Sequence, residues 1–238
     1  MDNQFLRTLK KITGITPLEI EPQALHLCDT HYNLLVEENR KFNLTSVTGP
    51  VEAAEKHFLD SFLLLPDLAH LKNPKVLDVG SGAGFPGLPL KICRTDLDMT
   101  LLDAVGKKTA FIEMVIKKLK LKQARALQAR AEDHAVKYRE YYDMAVSRAV
   151  AEMKVLLELT LPLVRMGGKA VISKGPGAYE ELAAAENALK ILGGLVGGVR
   201  ELVLPISGDK RAVIVIEKVA PTPEKYPRRP GIPRKRPL

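Results

Sequence analysis

The stretch from Lys75 to Ile92, KVLDVGSGAGFPGLPLKI, constrains this chain more than any other. An apolar run ends at Asp78-Val79, four glycines follow at Gly80, Gly82, Gly84 and Gly87, and a helical pattern begins near Pro86. A strand that turns through glycines into a helix opens a parallel α/β sheet and lets a ligand approach the backbone at the carboxyl edge. Pro86 suits the first helical position, which leaves Phe85 extended with its ring free to meet a base or ribose. From Gly82 to Gly87 the letters spell G-x-G-x-x-G, the dinucleotide fingerprint. From Asp78 to Gly84 they spell D-x-G-x-G-x-G, the first motif of enzymes that use S-adenosylmethionine. Inside these letters both readings stay open.

The surrounding elements set the fold class. Strand patterns occur at 75–80, 98–103, 124–129, 142–149, 168–174, 199–205 and 211–219, with helical patterns such as 107–120 and 178–192 between the earlier ones. This rhythm predicts a doubly wound, mostly parallel α/β sheet of seven strands. The last two patterns are separated only by ISGDK, too short for a crossover, so they pair antiparallel and give the sheet one antiparallel strand. Ahead of the sheet, residues 1–72 read as a helical extension. Pro22 opens one helix there, with Leu25, Cys28, Leu35 and Val36 on or near its apolar face, and 51–65 forms another after Gly49-Pro50. The sheet domain spans 73–219, and a Pro/Arg-rich tail spans 220–238.

That tail holds six basic residues against Glu224, +5 of a net charge of +8. A cationic end of this kind favours a polyanion such as nucleic acid, and the proline-rich composition predicts a segment that stays extended until bound. The N-terminus lacks the pattern of a secretory signal, and no apolar run is long enough to span a bilayer, which predicts a cytoplasmic protein without membrane contact. Cys28 and Cys93 lie far apart without C-x-x-C spacing and read as reduced thiols rather than a metal site.

Three features favour the methyl donor at the glycine loop. Asp78 precedes the turn, where a carboxylate can anchor the donor's cationic amino acid end directly or through the loop. Asp103 ends the next strand about 20 residues on, where ribose hydroxyls are held, and Glu132 follows the third strand, where adenine contacts are expected. The antiparallel final pair also departs from the usual dinucleotide arrangement.

At this point a resemblance emerges. KFNLTSV (41–47), HFLDSF (57–62), the glycine loop, LLDAVGKK, RAED, SRAVA (147–151) and the ending YPRRPGIPRKRP together resemble the bacterial RsmG family, also called glucose-inhibited division protein B. The resemblance implies a class I, Rossmann-like methyltransferase fold. It also implies S-adenosylmethionine as cofactor and transfer to guanine N7, at the position numbered 527, in 16S ribosomal RNA, free or within a 30S particle. Carried over by motif, the family's cofactor contacts fall on Gly80, Phe85, Asp103, Ala104, Val105, Ala131, Glu132 and Arg148, beside the Asp78, Gly82 and Gly84 of the loop itself. No catalytic side chain, metal or obligatory protein partner is implied, because guanine N7 has an in-plane lone pair and no proton to remove.

Other candidates rank below these. Arg148 ends the fourth strand and can meet cofactor, RNA phosphate or both. For RNA the tail comes first (Arg228, Arg229, Arg234, Lys235, Arg236), Lys174 second and the basic helix 107–122 third. His57, Asp60 and Ser61 share a helix face and fit a structural hydrogen-bond cluster as well as a substrate contact. Asn43-Leu44-Thr45 caps a turn. Replacing Asp103 is expected to weaken cofactor binding, and deleting 227–238 to reduce mainly RNA affinity. A nicotinamide oxidoreductase, a non-catalytic RNA-binding module and methylation of another substrate remain the alternatives.

Overall fold

The computed structural model describes residues 3–148 and 151–238; Ala149 and Val150, at the end of the expected fourth strand and within SRAVA, lie outside them. Among the described residues, β1 (Lys75–Val79), β2 (Asp98–Asp103), β3 (Ala124–Gln128), β4 (Tyr142–Arg148), β5 (Val164–Lys174), β6 (Gly194–Val203) and β7 (Lys210–Lys218) form one sheet in the order β3-β2-β1-β4-β5-β7-β6. Neighbours from β3 through β5 are parallel, and β7 runs antiparallel to both β5 and β6. The sheet grows outward in both directions from β1 and β4, so their carboxyl ends form the switch point where such sheets bind ligands.

Burial explains the strand letters. β2 and β4 are covered on both faces and read as nearly unbroken apolar runs, whereas the edge strand β3, ARALQ, mixes exposed and half-buried positions. β6 begins at Gly194 rather than near Val199, because its glycine-rich start carries no apolar alternation. Pairing with β7, from Gly194 opposite Lys218 onward, makes it a strand.

The N-terminal helices α1 (Gln4–Gly14) and α2 (Pro22–Asn39) precede a third helical stretch. There α3 (Pro50–Ala53), a π-helical turn (Ala54–Leu59) and α4 (Asp60–Phe62) run on end to end. Phe5, Leu9, Leu35, Phe58 and Phe62 of this region share one continuous core with Val76, Met99, Met144, Val171 and Val213 of the sheet. Along the sheet follow α5 (Gly87–Cys93), α6 (Gly106–Leu119), α7 (Ala131–Lys137), α8 (Met153–Thr160), α9 (Ala178–Ala184) and α10 (Glu186–Leu192). Both thiols are free, and burial pushes that of Cys93 up to about 12.

The tail departs from the sequence expectation: it is docked rather than extended and free. Arg139 donates to the carbonyls of Thr222, Pro223 and Tyr226, and the Lys218 ammonium donates to those of Leu161 and Leu192 and to the Thr222 hydroxyl. Tyr226 joins a buried core cluster with residues of β5, β7, α8 and α10, and the short helix α11 (Ile232–Lys235) follows near the end. The partners that hold the tail lie 30 to 99 residues earlier in the chain, or in β7, so the tail's own composition does not announce them. No helix among the described residues is long and apolar enough to cross a membrane.

Phe58 joins the N-terminal helices to the sheet core; it is fully buried and meets Phe5 edge-on at 5.0 Å and Phe85 at 5.1 Å. Phe58→Ala is expected to lower unfolding free energy by about 3–5 kcal/mol in urea titrations, the range for emptying an aromatic core position.

Candidate functional site

The loop after β1 is pinned from below by a buried carboxylate. Asp78 Oδ2 accepts the Gly87 N–H at 2.8 Å, and a Cβ on Gly87 would lie 2.7 Å from that oxygen, so only glycine allows this approach. Asp78 is fully buried and absent from the cavity wall, so its contact is with the loop. Burial pushes its carboxyl up to about 7 against the opposing pull of the Gly87 N–H. Gly84 has φ +90°, and a Cβ there would lie 2.3 Å from Leu88 Cδ1. It therefore serves the turn's packing and, unlike Gly80 and Gly82, does not line the cavity.

Asp103 clips the top of the loop to the end of β2. Its Oδ2 accepts the Gly82 N–H and its Oδ1 the Val105 N–H, each at 2.9 Å. Each oxygen keeps a further lone pair, so the carboxylate can still accept from a ligand hydroxyl.

Phe85 is placed differently from expectation. Its ring is buried between the imidazoles of His31 and His57, stacked at 4.9 and 4.5 Å, rather than standing free, while the residue still lines the cavity. Pro86 correspondingly caps α5, which starts at Gly87. Burial lowers His31 to about 3 and, with Arg148 adding to the effect, His57 to about 4, so both rings are neutral at physiological pH. His57 Nε2 lies 3.1 Å from the Val47 carbonyl, which can only accept, so this nitrogen carries the proton. Thr45 Oγ1, 3.2 Å from the same nitrogen, accepts the Val47 N–H and closes the turn after Asn43.

These elements surround a cavity of about 640 Å³. Gly80, Gly82, Phe85, Asp103, Ala104, Val105, Ala131, Glu132 and Arg148 all line it, brought together from the carboxyl ends of β1 to β4. The structure adds residues that sequence reasoning missed: Leu44 and Thr45 from the N-terminal region, Lys108 from the first turn of α6, Arg130, Val155 and Leu159 of α8, and Gly231 and Pro233 of the tail. Lys108 was accessible to sequence reasoning, because the first turn of the helix after β2 must face the same edge. The tail residues carried no such signal.

Arg148 is mostly buried and stands between this cavity and a second of about 320 Å³, which Lys56, Asp60, Ser173, Lys174 and Arg211 also line; His57 faces both. Arg148 Nη1 donates to the carbonyls of Lys56 and His57 at 3.0 Å, lies 3.6 Å from Asp60 and has its guanidinium 5.4 Å from the Phe85 ring. Burial lowers its pKa and Arg211 adds to this, while Asp60 and Asp78 oppose. Asp60 also accepts from Arg211 at 3.0 Å and from Ser173, and the Ser61 hydroxyl donates to the His57 carbonyl. His57, Asp60 and Ser61 are thus gathered around Arg148, with His57 and Asp60 on the cavity walls and Ser61 buried behind them.

The six RNA candidates separate. Lys174 is buried, bonded to the Ala151 carbonyl and paired with Glu181 at 2.6 Å, and Arg228 clamps the fully buried Glu158 through its N–H, Nε and Nη2, so both have structural partners within the chain. Arg229, Lys235 and Arg236 are exposed on the tail, and Arg234 is exposed at the cavity. Gly231, Pro233 and Arg234 of the tail also line the cavity, where the sequence placed the tail toward RNA only.

Residues 25–207 match the family model GidB, rRNA small subunit methyltransferase G. Two proteins named ribosomal RNA small subunit methyltransferase G are similar to nearly the whole chain. The one from Pelotomaculum thermopropionicum is 47% identical over 97% of this chain and 98% of that protein, and the one from Carboxydothermus hydrogenoformans is 46% identical over 93% and 94%. Among solved structures, a SAM-dependent methyltransferase from Aquifex aeolicus aligns with TM-score 0.51 at 20% identity, over 69% of this chain and 92% of that one. A 16S rRNA (adenine(1408)-N(1))-methyltransferase mutant from Catenulisporales acidiphilia aligns with TM-score 0.53 at 13% identity, over 66% and 91%. These two likenesses establish the Rossmann-like methyltransferase fold.

The Asp78 carboxyl holds its proton to about pH 7 when folded, against a usual value of 3.8. Between these values the folded state binds more protons than the unfolded, so this group's contribution to stability falls as pH rises and levels off above about 7. Asp78→Asn keeps an acceptor for Gly87 without titrating. The stability of wild type minus variant should therefore decline from pH 4 to pH 7 in urea titrations, and a flat difference would contradict a neutral carboxyl.

Proposed function

The chain belongs to the GidB family, rRNA small subunit methyltransferase G, and on that footing we propose that it transfers a methyl group from S-adenosylmethionine to guanine N7, at position 527, of 16S ribosomal RNA in the cytoplasm. The observation that carries this reading is the convergence of Gly82, Asp103, Ala104-Val105 and Glu132, from the ends of successive strands, on one 640 Å³ cavity.

The cavity fits the donor. Its volume lies in the range of small-molecule and cofactor sites. The position of a Gly82 Cβ is open space, so the backbone there leaves room that a side chain would take. Asp103 would hold ribose hydroxyls through its remaining lone pairs, the Val105 and Ala131 region would flank the adenine, and Glu132 would accept from its polar edge. Asp78 acts from behind by fixing Gly87 and hence the loop. When bound, S-adenosylmethionine supplies an electrophilic methyl on a positively charged sulfur.

The chain's own residues then have positioning to do and no proton to remove. Guanine N7 offers an in-plane lone pair, so alignment at near-attack distance can account for much of the rate enhancement, on the order of 7–11 kcal/mol. The second cavity, separated from the first by Arg148 and His57, is the approach for the acceptor nucleotide, with Arg148 available to a phosphate. Exposed Arg229, Lys235 and Arg236 hold RNA phosphates further out, which favours nucleic acid over a small acceptor.

Incubating the chain with tritiated methyl donor and naked ribosomal RNA, 30S particles or tRNA, then mapping the label, tests this function and identifies the form of substrate. Label in guanine N7 of 16S RNA is expected; label absent from every RNA while the donor binds would overturn it. Asp103→Ala should weaken S-adenosylhomocysteine binding about 10- to 100-fold in calorimetry, the loss of a charge-assisted hydrogen bond and of the loop clip together.

A further inference from the structure

Glu132 has two partners to serve. It lines the larger cavity, and its Oε1 accepts the N–H of Gly231 at 3.2 Å, so the tail is tied to the carboxylate that the donor reading assigns to adenine. Pro233 is buried, and Gly231, Pro233 and Arg234 together form part of the cavity wall. The segment is anchored just upstream, where Arg228 grips Glu158 of α8, and α8 also sends Val155 and Leu159 to the cavity.

We propose that the tail around Gly231, Pro233 and Arg234 is a wall of the methyl-donor site, completing the subsite for the adenosyl group. The proposal rests on the donor reading given above. Pro233 contributes a rigid apolar face and Arg234 a planar cation suited to lie against a purine, while a carboxylate with two oxygens lets Glu132 hold the tail and the ligand at once. The same turn carries the exposed Lys235 and Arg236, so a segment that meets RNA phosphates on one side closes the donor site on the other. Any ligand that binds better to the docked tail must in turn stabilise the docked tail.

Two measurements on the protein test this. Calorimetry with S-adenosylhomocysteine compares the full chain, a chain ending at Arg228 and Arg234→Ala, with circular dichroism melting to confirm that each is folded. The shortened chain should bind about tenfold more weakly or worse, and Arg234→Ala measurably more weakly. Separately, trypsin cleavage after Arg234 and Lys235 of the full chain is timed with and without saturating S-adenosylhomocysteine. Cleavage should slow about tenfold when the nucleoside is bound. Unchanged affinity in a folded shortened chain, or unchanged cleavage, overturns the wall and leaves the donor reading intact. A full chain that binds no S-adenosylhomocysteine overturns the donor reading and the wall with it. If the shortened chain does not fold, the cleavage rates of the full chain decide.

Discussion

The ring of Phe85, held between His31 and His57, is the contact on which the rest of the site depends. It takes the one large apolar side chain of the glycine loop and seats it among helices from the first 62 residues. Desolvation keeps both imidazoles neutral, and neutral rings stack on a phenyl face without the cost of burying a charge. The N-terminal region thereby contributes to the cavity through Leu44, Thr45 and His57. His57, Thr45 and Leu44 stand in its wall because Phe85 locks their helix and turn to the loop.

Around that contact the molecule is tied together by buried charges that each find a partner. Asp60 joins Arg148, Arg211 and Ser173, bridging the ends of β4, β5 and β7 to α4. Glu55 accepts the N–H groups of Ile206 and Ser207 and so fastens the β6–β7 turn to the π-helical segment. Glu158 does the same for the tail through Arg228. The ion pairs among these, those of Asp60 and Glu158, add little net stability over an apolar replacement, but removing one partner leaves an uncompensated buried charge. Their effect here is geometric, since each fixes one element against another that is remote in the chain.

The strand order of motifs was legible because each obeys a local rule. Glycines after an apolar run, an acid at the end of the next strand and another at the start of the helix after the third are all written within a few residues of the turns that use them. Asp103 and Glu132 accordingly face the cavity. Where a residue's surroundings come from far away, reading failed. Phe85 does line the cavity, but its ring is enclosed by histidines 28 and 54 positions earlier instead of standing free. Lys174 and Arg228 looked like free cations but meet Glu181 and Glu158. The docked tail is the largest such case, because its proline-rich letters describe a segment that cannot build a core and say nothing of a core built elsewhere to receive it.

By itself, then, the sequence determined the sheet, its single antiparallel strand, the glycine turn and the acids after successive strands, since backbone sterics and hydrophobic periodicity act over short spans. Only the tertiary structure decided which charges stay available to a ligand. It also decided that Gly84 and Asp78 support the loop from behind and that the chain's last residues close a cavity begun near residue 44. Those outcomes depend on burial and pairing between groups up to about 190 residues apart, and such groups meet only once the chain has folded.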